Sequence, residues 1–177
     1  VPPGVRRRSA GSFGLFGSTD PLQRASVEAA KQVFMEQVVR PALGHRRGVP
    51  RLRAMLESWI GYVERIVFRG GCFFAAASAE FDSRPGPVRD AIAALAQEWL
   101  VALQDEIAFA KSAKQIRPSV DPVQLAFELH AFVQEANWAF KLFNDKSAFS
   151  HARQAIASRV ASASREPTLT KTLERRK

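Results

Sequence analysis

The sequence predicts an all-α fold, and three observations predict it. Apolar residues recur at the i, i+3, i+4, i+7 spacing of a helix wherever the chain is regular. Prolines stand at the openings of these stretches, at Pro21, Pro50, Pro87 and Pro122, where a missing N–H costs nothing. No segment alternates convincingly as a strand.

The first helix is expected from about Pro21 to Val39, with Asp20 as N-cap and Leu22, Ala25, Ala29, Val33 and Phe34 as its apolar stripe. Pro41 ends or bends it. After the loop Gly44–Gly48, a second helix starts at Pro50. Leu52, Met55, Leu56, Trp59, Ile60, Val63, Ile66 and Val67 follow helical spacing closely, and Gly70-Gly71 stops them. Cys72 to Phe81 is almost wholly apolar, and a stretch this short does not distinguish a buried strand from a buried helix by period. Its Ala75-Ala76-Ala77 centre favours helix.

A Pro-Gly punctuation at 85–87 precedes the longest helix, Pro87 to about Lys114, carrying Val88, Ile92, Leu95, Trp99, Leu103, Ile107 and Ala110. Asp121-Pro122 opens a helix to about Phe143 that is apolar nearly all round, which calls for two packing partners, one of which can be another chain. The last helix, Ser147 to about Ser162, presents small residues for close helix–helix approach. Beyond it the chain is polar and basic, with the composition of a disordered tail.

Composition narrows the function classes. The formal charge of +9 is concentrated at the ends: +7 over residues 1–53, −1 over 54–164 and +3 over 165–177. A basic end on a neutral body suits a polyanion partner, and equally suits a solvated terminus. One cysteine, Cys72, rules out an internal disulfide and suits a reducing compartment. No segment has the length of apolar sequence that a membrane-spanning helix requires, and the N-terminus lacks the apolar core of a secretory signal. A cytoplasmic protein without membrane association is expected.

Catalytic and metal-binding signals are weak. His45, His130 and His151 fall on separate elements, and Glu80 and Asp82 bring no third ligand. Paired cysteines, a phosphate-cradling glycine loop and a nucleophile elbow are absent from the sequence. No enzyme, metal or cofactor is expected.

The stretch Gly70-Gly71-Cys72-Phe73-Phe74-Ala75-Ala76-Ala77-Ser78-Ala79-Glu80-Phe81, continued by Arg84-Pro85-Gly86-Pro87-Val88-Arg89-Asp90, resembles one subgroup of the TetR/AcrR transcriptional regulators. Phe13-Gly14-Leu15-Phe16-Gly17-Ser18 and Leu22-Gln23 are similar to the end of that family's recognition helix and the start of its connector helix. The resemblance runs from about Ser9 to Val160. It implies a TetR-like helical bundle in which residues 1–20 are the remnant of a helix-turn-helix head. Residues 21–164 would be the ligand-binding and dimerisation domain, and 165–177 a basic tail.

The family's opening helix has no counterpart in the eight residues before Ser9. Phe13 stands where the family often carries a phosphate-contacting hydroxyl, and Thr19 where it usually carries lysine. The function implied is that of an effector-responsive repressor, a homodimer on a DNA operator. The alternative is a DNA-incompetent module that dimerises and binds a small ligand.

Within that frame, Arg6, Arg7, Arg8, Ser9, Ser12 and Phe13 are the candidate DNA contacts, since arginine forks and small hydroxyls suit phosphates. Trp59, Tyr62, Phe73, Trp99, Phe127, His130 and Trp138 are candidates for lining a pocket for a small apolar or aromatic effector. His130 stands out as a titratable group in an apolar stretch. Cys72 reads as a ligand contact, a redox sensor or, more simply, a buried thiol. Phe132, Phe140, Ala152, Ala155 and Ile156 are the candidate dimer contacts, on the two helices where the family pairs.

Overall fold

The computed structural model describes residues 20–165, and within them the chain is a bundle of helices. The elements are α1 (Asp20–Phe34), a π-helical turn (Met35–Val39), α2 (Arg40–Leu43), α3 (Val49–Glu64), α4 (Phe73–Phe81), α5 (Pro87–Ser112), α6 (Pro122–Phe143) and α7 (Ser147–Ala163). Among the described residues there is no strand, only an isolated bridge between Ile116 and Ser164. No described helix is long and apolar enough to cross a membrane.

Pro41 neither ends the first helix nor leaves it regular. With no N–H of its own and a ring that crowds the preceding turn, it is accommodated by a widened turn just before it. There the Arg40 N–H donates to the Met35 carbonyl, five residues back. The buried stripe of α1 also differs from the expected one. Val27, Ala30, Phe34 and Val38 face inward, while Leu22, Ala25 and Ala29 are exposed. Alanine and a terminal leucine can occupy either face, so the short row they formed did not determine which side packs.

α3 is the central element, packed against α5, α6 and α7 and buried along its length from Leu52 to Val63. It stops at Glu64, before the glycines. Arg65 caps it and Ile66 turns left-handed at φ 53°, so that the Ile66 N–H reaches the Val63 carbonyl (3.0 Å) and the Val67 N–H that of Tyr62 (3.5 Å). This is the double hydrogen bond that usually closes on glycine. Lys114 (φ 59°) ends α5 in the same manner, with the Gln115 N–H on the Ala110 carbonyl at 2.8 Å.

The loop before α3 is tied down by a buried acid. Glu106 of α5, 6% exposed, accepts the Gly48 N–H (2.8 Å) and the Arg47 Nε (3.0 Å), with the Arg51 guanidinium at 3.5 Å. Gly48 sits at φ 92°, where a side chain would strike Gln115. Arg47 also lies over the Phe109 ring, 4.4 Å from its centre. On the opposite side Arg153 of α7 clamps Glu57 (2.8 Å) and Glu64 (2.7 Å) of α3, and these carboxylates hold the guanidinium firmly in its charged form.

α6 opens with Asp121, whose carboxylate accepts the Val123 N–H at 2.9 Å, and closes on Asn144 in the left-handed conformation. Its two apolar faces are both real. Leu125, Leu129, Val133, Ala136 and Phe140 face the core, whereas Val123, Phe127, Trp138 and Leu142 are exposed, on the other face by helical spacing.

Candidate ligand-binding cavity

α4 is placed by the turn in front of it. Gly71 lies at φ 80°, where a Cβ would come within 2.5 Å of Asn137 Oδ1. That buried amide oxygen instead accepts the Cys72 N–H (2.9 Å), locking the start of α4 onto α6. α4 in turn packs on α5, and α5 on α1 and α6. The space left between α1, α3, α4, α5 and α6 is a cavity of about 390 Å³, inside the range of roughly 300–1,000 Å³ that small-molecule sites occupy.

Its wall is mostly aromatic and aliphatic. Phe34, Trp59 and Trp99 meet edge to face, with Phe34–Trp99 centres 5.1 Å apart and Trp59–Trp99 centres 5.5 Å apart. Phe74 continues the array at 5.7 Å from Phe34. Met35 and Val39, both from the π turn, complete the α1 side.

The polar complement is small. His130 stacks at a tilt 5.1 Å from Trp59, and Gln134 lies one turn further along α6. Lys31 and Glu98 meet across α1 and α5 at 3.5 Å. Ser78 and Cys72 reach the wall from α4. Burial pushes the His130 pKa below its ordinary value, favouring the neutral imidazole, and pushes the Cys72 thiol up. The indole N–H groups of Trp59 and Trp99 are buried without a hydrogen-bond partner. The Trp59 N–H lies close enough to favour the Cys72 thiolate, yet makes no hydrogen bond to the sulfur.

The structure brings Trp59, Trp99 and His130 of the expected pocket together and disperses the others. Tyr62 is fully buried beside the cavity, edge-on to Phe34 at 5.6 Å, with its hydroxyl unpartnered and its pKa raised by burial. Phe73 packs into a second, smaller core around Val27, Ala77, Val88 and Ile92. Phe127 and Trp138 are exposed (65% and 51%) on the outer face of α6 and are not pocket residues in this conformation.

The expected dimer contacts shift in the opposite sense. Phe140, Ala152 and Ile156 are buried inside the chain, where α6 packs on α7, and Phe132 and Ala155 are partly buried. On a helix with two apolar faces, spacing reveals both faces without saying which one turns inward. The DNA-contact candidates Arg6, Arg7, Arg8, Ser9, Ser12 and Phe13 lie outside the described residues.

The sequence reading missed the contribution of α1. Phe34 was legible as apolar, but Met35 and Val39 reach the cavity from the π turn, which no helical period anticipates. Gln134 was findable, since it lies four residues after His130 and so shares its face.

Among the described residues, no group of three His, Cys, Asp or Glu side chains is arranged to hold a metal ion.

A family model described as "Tetracyclin repressor-like, C-terminal domain" matches residues 48–156. No curated protein matches the chain. Among solved structures, the chain is similar to a TetR transcriptional regulator from Chloroflexus aurantiacus J-10-FL. The identity is 24% and the TM-score 0.78, over 89% of this chain and 79% of that one. It is also similar to a TetR-family transcriptional regulator from Streptomyces coelicolor (23% identity, TM-score 0.69, covering 86% and 77%). A third is a TetR-family transcriptional regulator from Cytophaga hutchinsonii (16%, TM-score 0.74, covering 88% and 78%).

Proposed function

Because the chain belongs to the tetracyclin repressor-like family of transcriptional regulators, we propose that it is an effector-responsive repressor that works as a homodimer in the cytoplasm. In this reading residues 21–164 form the ligand-binding and dimerisation body, and residues 1–20 are the remnant of the DNA-reading head. The observation that carries the reading is that α1 and its π turn form one wall of the cavity. A small apolar or aromatic molecule filling that space pushes directly on the helix that leads out of the body. Ligand and DNA affinity are then coupled through α1, reciprocally.

The exposed row Val123, Phe127, Trp138 and Leu142 supports pairing, since four large apolar residues in one stripe suit burial against a second copy. Sedimentation equilibrium followed by selection of genomic DNA fragments on the purified protein tests both parts. The expected result is a dimer that retains palindromic fragments. A monomer overturns the pairing, and a dimer that retains no DNA makes the chain a pairing and ligand-binding module instead.

A further inference from the structure

The polar groups of the cavity wall specify what the effector must carry, an inference that rests on the ligand-binding reading above. His130 and Gln134 lie one turn apart on α6 and, among the described residues, neither side chain makes a hydrogen bond within the protein. Like the Ser78 hydroxyl on α4, they are polar wall groups with both donor and acceptor capacity and no partner among the described residues, and they are the two that share one helix face. A neutral imidazole offers one of each, and the amide offers both.

The wall's two formal charges, Lys31 and Glu98, neutralise each other at 3.5 Å. No unpaired formal charge is left there to balance an ionised ligand, which would exchange its hydration for neutral donors alone. Around these groups stand the flat faces and edges of Phe34, Trp59, Phe74 and Trp99.

We propose that the cavity takes an uncharged, fused-ring aromatic molecule whose single hydroxyl or carbonyl oxygen is held by His130 and Gln134. The aromatic body supplies affinity by displacing water from an apolar space, and the oxygen fixes orientation. A body without oxygen binds more weakly, because it leaves both polar side chains facing it unpaired. A carboxylate on the same body binds more weakly still at neutral pH, where burial keeps His130 uncharged.

The test compares naphthalene, 2-naphthol and 2-naphthoate at pH 7.5 on the full chain. Binding is read by thermal shift and by isothermal titration calorimetry. The expected order is 2-naphthol tightest, naphthalene weaker by roughly tenfold, as the loss of one such hydrogen bond implies, and 2-naphthoate last. His130→Leu and Gln134→Leu should each shrink the advantage of 2-naphthol over naphthalene, while naphthalene binding itself reports that the variant is folded.

If 2-naphthoate binds tightest, or if neither variant shrinks the advantage of 2-naphthol over naphthalene, the assignment of His130 and Gln134 is overturned while the cavity reading stands. If none of the three compounds shifts the melting point or gives a binding isotherm, both fail.

Discussion

Removing the Glu106 carboxylate should loosen the end of the bundle where α3 begins. In Glu106→Ala the Gly48 N–H, buried and held at 2.8 Å, loses its acceptor, at a cost of about 1–3 kcal/mol for an unsatisfied buried donor. Arg47 and Arg51 lose their shared partner as well. Their side chains are 46% and 20% exposed, so water replaces much of that interaction and the extra cost is only about 1 kcal/mol. The sum is about 2–4 kcal/mol, which for a chain of this size lowers the melting temperature by roughly 5–15 °C.

Glu106→Gln keeps an oxygen for Gly48 and removes only the charge, so it should cost about 1 kcal/mol. Urea unfolding followed by tryptophan fluorescence measures both variants. An alanine variant within 0.5 kcal/mol of the parent would refute the reasoning. A glutamine variant as damaged as the alanine one would show that the charge, not the Gly48 hydrogen bond, carries the effect.

Three other outcomes are expected. Phe127→Glu combined with Trp138→Glu, which places two charges on the exposed row of α6, should turn a dimer into a monomer in sedimentation velocity while leaving the protomer's far-UV dichroism unchanged. Burial lowers the His130 pKa in the folded chain, so the unfolded chain takes up its proton first. Stability should therefore fall as pH drops below about 6.5 towards that lowered value and be flat with respect to this group above it; His130→Leu should lose that part of the acid slope, and an unchanged slope would contradict it. Ile66→Gly, at a left-handed position that costs a β-branched residue about 1–2 kcal/mol, should raise stability by about 1 kcal/mol, and any loss in a melting experiment would count against the cap described for α3.

Much of this molecule can be read from its residues, and the parts that cannot share a cause. Pro50, Pro87 and Pro122 mark helix openings to within a residue, because a missing N–H is free only in a first turn. Ser147–Ala163 also runs nearly as its spacing suggests. By contrast, Gly70-Gly71 does not stop α3, because Ile66 accepts a strained conformation six residues after Ile60 for the sake of a double cap. Trp138 and Phe140 are both large and apolar, two residues apart on one helix, yet one is exposed and the other packs on Phe149 at 4.9 Å. Hydrophobicity gives them the same label, and only the position of α7 separates them. For the cavity, Trp59 on α3, Trp99 on α5 and His130 on α6 are legible in the sequence, while Met35 and Val39 on the α1 side depend on a backbone irregularity.

That irregularity also bears on how the chain tolerates changes in length. A π turn lets a helix take in one extra residue while the faces on either side keep their places. Here Val27, Ala30 and Phe34 remain seated before it, Val38 at its far end and Ala42 after it. One residue removed between 35 and 39 should therefore heal into unbroken α-helix with both halves still packed. The same deletion near Ala30 would turn everything upstream by about 100° and draw it in by about 1.5 Å. Related sequences that differ in length by a single residue in this helix should carry the difference at the cavity wall.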